Sequence, residues 1–112
     1  MSRDPLAGLD LDAYARRFRV IISDDPDLER YVAVHRLTTY GRKHGFGDLD
    51  IHVHRSFGEF ADVILLHEAV EHWLRAGGWL YDESHEAAME VERERFGGTE
   101  YYDRFLAALG EA

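Results

Sequence analysis

The amino-acid sequence predicts a small α+β domain in which a short sheet of about two or three strands packs on helices, in the order β-α-β-α-α-α. Three observations carry this reading. Two short segments have strand character: the β-branched, aliphatic run Phe18 to Ser23 (FRVIIS) and the alternating run Leu49 to Arg55 (LDIHVHR). Between and after them, apolar residues recur at helical spacing and stop at glycines. The length, 112 residues, suits one modest core, so residues 1–112 are read as a single domain.

Taken in order, residues 1–12 are polar and poorly patterned, a loose arm expected to lead into a short helix near Asp12 to Arg17. The strand Phe18 to Ser23 follows. Asp24-Asp25-Pro26 then offers a helix cap with proline at the first helical position. Leu28, Tyr31, Val32 and His35 continue at helical spacing as far as Gly41, which predicts a helix of about four turns. Gly41 to Asp48 (GRKHGFGD) holds three glycines and reads as a loop. In the strand Leu49 to Arg55, Ile51 and Val53 face one way and His52 and His54 the other. From about Ser56, Phe60, Val63, Ile64, Val70, Trp73 and Leu74 form an apolar helical stripe that ends at Gly77-Gly78. Asp82 is expected to cap another helix through Phe96 to Gly97-Gly98, and Thr99 a last one through Leu109 to Gly110. Trp73, Trp79, Phe96, Tyr101 and Tyr102 are assigned to packing.

Composition narrows the chemistry. At 46% hydrophobic and 31% charged residues the chain is expected to fold. It has no cysteine, so any metal must be held by histidine nitrogen and carboxylate oxygen. Of the net charge of −9, residues 1–60 contribute −1 (nine Lys/Arg, ten Asp/Glu) and residues 61–112 contribute −8 (four against twelve). Such a surface repels phosphate backbones, and nucleic acid is not an expected partner. The first twenty residues lack an apolar stretch and the longest aliphatic run is Val63 to Leu66, so neither a signal peptide nor a membrane span is expected, and a cytoplasmic location is.

The region 49–96 carries the candidate site. His67 and Glu71 are four residues apart on a helix, side by side at the edge of the apolar stripe, whereas Glu68, Arg75 and His72 are expected further outward. Half-turned toward a core, a histidine and a glutamate are costly unless paired or metal-bound. On the next helix His85, Ala88 and Glu92 share a face, and Ala88 leaves room for close helix approach. If the short link from Ala76 to Tyr81 makes the two helices antiparallel, His85 falls close to Glu71, with Glu92 further back near Ile64. His67, Glu71 and His85 then converge on one divalent transition metal, zinc being the expected ion, with a fourth position open to water. Glu92 is a further candidate ligand. Glu68 and His72 form an alternative chelating pair if the helix is rotated by about 100°.

These residues resemble a known motif. His67-Glu68-Ala69-Val70-Glu71 looks like the zincin metallopeptidase sequence H-E-x-x-H with Glu71 in place of the second histidine. The resemblance implies His67 and Glu71 as zinc ligands, Glu68 as the general base acting on the metal-bound water, and His85 as the downstream ligand. It also implies a hydrolase whose peptide or protein substrate lies along an edge strand beside the active helix, here 49–55. A carboxylate at position 71 lowers the positive charge at zinc and makes its water less acidic. The full pattern, with His85, Ala88 and Glu92 as H-x-x-A-x-x-x-E, further resembles small uncharacterised prokaryotic and phage proteins.

Two other readings compete. In one, the acidic C-terminal helices of a non-enzymatic interaction protein bind a basic partner, with at most a structural metal between helices. In the other, Glu68, Glu71, Glu86 and Glu90 hold magnesium for a phosphohydrolase. His52 and His54, on a half-exposed strand face, need no function.

Overall fold

The computed structural model describes residues 6–29 and 31–110, and residues 1–5 of the arm expected at 1–12 lie outside them. The architecture is α+β: a three-stranded mixed sheet packed against helices. Helix α1 (Leu11–Arg16) is capped by Asp10, whose side chain accepts from the Ala13 amide. Strand β1 (Arg19–Ser23) follows as expected.

The next segment departs from expectation. Instead of four helical turns there is one, α2 (Pro26–Glu29), then strand β2 (Ala33–His35) and a short helix α3 (Thr39–Lys43) that takes up the start of the expected loop. The turn into β2 runs through Val32, whose φ of 66° no regular helix accommodates. Pairing explains the outcome: β2 runs antiparallel to β3 (Asp50–His54), with Ala33 opposite Val53 and His35 opposite Ile51. A weak local periodicity yields to hydrogen bonds that only a distant strand can supply.

Strand β3 lies between its partners, in the order β1-β3-β2, and pairs in parallel with β1 over its whole length. Both of its edges are occupied by β1 and β2, so 49–55 is the central strand of the described sheet and not the edge strand expected. The alternation reading holds, since Ile51 and Val53 are buried. On the opposite face His52 stacks on Phe46, and His54 pairs with Ser56.

A 3₁₀ segment (Arg55–Phe60) leads into α4 (Ala61–Ala76), which ends at Gly77 and at Gly78, the latter at φ 95°. Helix α5 (Tyr81–Phe96) has Leu80 at its N-cap, with Asp82 in the first turn where its charge suits the helix dipole, rather than at the cap. Thr99 caps α6 (Glu100–Ala108) through its hydroxyl and the Tyr102 amide. One apolar cluster joins Phe18, Ile51, Val53, Phe60, Val63 and Phe105; a second joins Val70, Leu74 and Ala88 across the α4–α5 contact. Trp73 and Trp79, expected in the core, each keep more than a third of their surface exposed at the α4–α5 turn. No described helix is long and apolar enough to cross a membrane.

Candidate metal centre

Helices α4 and α5 are joined across Gly77-Gly78 and pack closely because Ser84 and Ala88 present minimal bulk to α4, both fully buried. That approach brings His85 onto the end of α4 holding His67 and Glu71. The Nε2 atom of His67 lies 2.6 Å from Glu71 Oε2 and 3.2 Å from His85 Nδ1, and His85 Nδ1 lies 2.8 Å from the same Glu71 oxygen. Ligands about 2.1 Å from a tetrahedral ion stand about 3.4 Å from one another. Each edge of the triangle therefore needs to widen by less than about 1 Å to seat one.

His67 and Glu71 each have a partner on the side away from this triangle. His67 Nδ1 is 2.5 Å from Glu92 Oε1, and the other Glu92 oxygen accepts from the Tyr102 hydroxyl at 2.8 Å. In the neutral ring, with the Nδ1 hydrogen donated to Glu92, the Nε2 lone pair would point at the shared centre. Glu92, a further candidate ligand, thus meets the ring nitrogen of His67 that faces away from Glu71 and His85. Behind Glu71 stands His35 of β2, 1% exposed. Its Nδ1 accepts from the Leu37 amide, which leaves the neutral ring's hydrogen on Nε2, 3.6 Å from Glu71 Oε1. That Nε2 is the one buried side-chain polar atom lacking a hydrogen bond among the described residues. Drawing Glu71 Oε1 slightly closer would satisfy it. The Tyr81 ring stacks on His85 at the mouth.

The electrostatics follow from these contacts. Burial opposes a charge on His67, but hydrogen bonds to Glu71 and Glu92 outweigh it and raise its pKa to about 10. Burial likewise opposes ionisation of Glu71, yet the His35 ring beside it and the hydrogen bonds with His67 and His85 hold its carboxyl far below the usual range. Glu68 goes the other way: burial first, then the charge of Glu71, push it well above its ordinary value. The expectation that Glu68 faces outward is thus overturned. The side of α4 assigned to solvent is covered by β2, and oxygens of Glu68 and Glu71 and a nitrogen of His35 lie within 4.8 Å of one another.

His72, also expected at the surface, packs against Tyr14, Phe18 and His35, with the Tyr14 hydroxyl 2.7 Å from its Nδ1. Burial lowers its pKa to about 4. It forms no chelating pair with Glu68. Glu86 and Glu90 are exposed on the outer side of α5 and do not meet Glu68 or Glu71, which removes the expected magnesium cluster. Sequence reasoning missed His35, the outer partner of Glu71, because it was assigned to a helix. Its only signal was a place in the β-favouring stretch Tyr31 to His35.

His67, Glu68, Glu71, His85 and Glu92 open into a cavity of about 750 Å³ whose walls include β2, α4 and α5. No family model matches the chain, and no curated protein or solved structure matches it either.

Proposed function

We propose that the protein is a zincin-like metal-dependent hydrolase that binds one divalent transition ion, zinc, through His67, Glu71 and His85. The observation that carries this reading is the convergence of His67 Nε2, Glu71 Oε2 and His85 Nδ1 within 3.2 Å of one another. Two nitrogens and one oxygen form a donor set suited to zinc and related ions. Outer-shell partners that fix ring orientation are what such ligands need. A cavity on the open side distinguishes the arrangement from a closed structural site.

A bound ion would supply Lewis acidity, polarising a substrate carbonyl and making water a better nucleophile near neutral pH. The chain's own residues do the rest. Glu92 and Tyr102 hold the His67 ring, His35 steadies Glu71, and Glu68 exchanges a proton at the reacting group. A carboxyl raised by burial and by neighbouring carboxylates is poised for proton transfer closer to neutral pH than an ordinary glutamate.

Metal analysis of protein purified without an affinity tag tests the binding claim. About one equivalent of zinc is expected in the wild type and little in His67→Ala or His85→Ala, and trace metal in all three would overturn it. Glu68→Gln is expected to keep metal and lose hydrolysis of a peptide library; unchanged turnover would remove Glu68 from the reaction.

A further inference from the structure

The cavity is chemically asymmetric along α4. Ile64 stands one turn before His67, and Met89 one turn beyond His85 on the antiparallel α5; with Phe105 and Leu109 they make an apolar end. Arg75 stands one turn beyond Glu71 and, with Lys43 of α3, makes a cationic end. Ile64 and Arg75 are eleven residues apart, about 16 Å along the helix axis. The three converging ligand atoms lie between the two ends.

These two cations stand in acidic surroundings. The chain carries a net charge of −9, and Asp27, Glu71 and Glu92 line the same cavity. Arg19, Arg36, Arg55, Arg95 and Arg104 each face a carboxylate. Arg75 and Lys43 form no salt bridge among the described residues. Arg75 is nonetheless held: its Nη2 lies 3.4 Å from the Leu37 carbonyl and its guanidinium sits over the Tyr81 ring, 6.0 Å from the centroid. A positioned guanidinium with free N–H groups beside a cavity is suited to binding an anion.

We infer that Arg75 and Lys43 form a carboxylate-binding subsite, and that the cavity takes a ligand with a free carboxylate at one end and an apolar acyl group at the other. An N-acyl amino acid or the C-terminal end of a peptide has this form. The inference rests on the proposed metal centre only in placing the connecting carbonyl next to His67, Glu71 and His85. Asp27, Glu71 and Glu92 line the same cavity and partly offset the two cations, so a second negative charge on the ligand is disfavoured and a carboxylate monoanion fits better than a phosphate dianion. The volume, about 750 Å³, suits a ligand of this size.

Calorimetric titration with N-hexanoylglycine, its neutral C-terminal amide, N-acetylglycine and inorganic phosphate tests this, on both zinc-loaded and metal-free protein. The acid is expected to bind about tenfold or more tightly than the amide in both forms. That preference should vanish in the double variant Arg75→Gln/Lys43→Gln, persist in Arg75→Lys, and leave zinc affinity unchanged. N-acetylglycine should bind at least tenfold more weakly than the hexanoyl compound. Equal binding of acid and amide, a preference that survives the double substitution, or tighter binding of phosphate than of the acid would overturn the carboxylate subsite; equal binding of the two acyl lengths would overturn the apolar one. A protein that takes up no zinc would sink the metal reading, yet the metal-free titrations would still decide the subsite.

Discussion

Replacing Glu92 by glutamine separates an outer-shell role from a ligand role. In the native protein the Glu92 carboxylate, 3% exposed, meets His67 Nδ1 at 2.5 Å and the Tyr102 hydroxyl at 2.8 Å. Glutamine keeps the shape and one oxygen, so the His67 contact survives as a neutral hydrogen bond while the charge is lost. Charge-assisted hydrogen bonds contribute about 1.5–3 kcal/mol and neutral ones about 0.5–1.5, so the change costs about 1–2 kcal/mol of ligand orientation and basicity. Zinc should then bind roughly 5- to 30-fold more weakly, within reach of the range found for second-shell substitutions elsewhere. Competition against a chromogenic chelator at pH 7.5 measures this, and cobalt substitution reads the coordination geometry, which should not change. Tyr102→Phe, which removes one hydrogen bond from Glu92, should cost only a few-fold. An unchanged affinity in Glu92→Gln would refute the orienting role. A loss as large as that of His85→Ala, with an altered cobalt spectrum, would make Glu92 a ligand.

Other consequences can be checked with simple assays. Because His67 is protonated up to about pH 10 in the metal-free protein, zinc binding at pH 8 should release about one proton from it, seen as a dependence of binding heat on buffer ionisation enthalpy. Without metal, the stabilisation tied to protonated His67 is complete below its unfolded value near 6.5 and disappears as pH rises through about 10, so the metal-free melting temperature should fall on that alkaline side. A raised carboxyl such as Glu68 costs nothing at pH 4.5 or below and up to about 1.4 kcal/mol for each pH unit above that until its folded value is reached; metal-free Glu68→Gln should therefore melt higher than wild type at pH 7.5 but not at pH 4. Ala88→Leu forces bulk into the α4–α5 contact, where residue 88 is fully buried, and should cost about 1–3 kcal/mol in denaturant unfolding and weaken zinc binding by moving His85.

The strength of each local signal decided what could be read without coordinates. Helix α4 has a long apolar stripe and both α4 and α5 run to paired glycines, so the i, i+4 relation of His67 and Glu71 and the return of His85 past Ala88 follow from helical geometry. Strand β2 is three residues long, and its conformation is decided by a partner fifteen or more residues away. No local pattern reports that pairing. Missing β2 displaced everything it touches: His35 lost its place behind Glu71, β3 was taken for an edge strand, and Glu68 was turned toward water. Glu92 was assigned to the correct face at the correct height, but helical spacing does not say which ring nitrogen of His67 a carboxylate meets.

Anomalous diffraction at the zinc edge, from crystals of tag-free protein grown with zinc, addresses the metal centre most directly. A single strong peak about 2.1 Å from His67 Nε2, Glu71 Oε2 and His85 Nδ1, with Glu92 still on His67 Nδ1, is the expected result. Peaks only at surface carboxylates, or rings of His67 and His85 turned away from each other, would contradict the account.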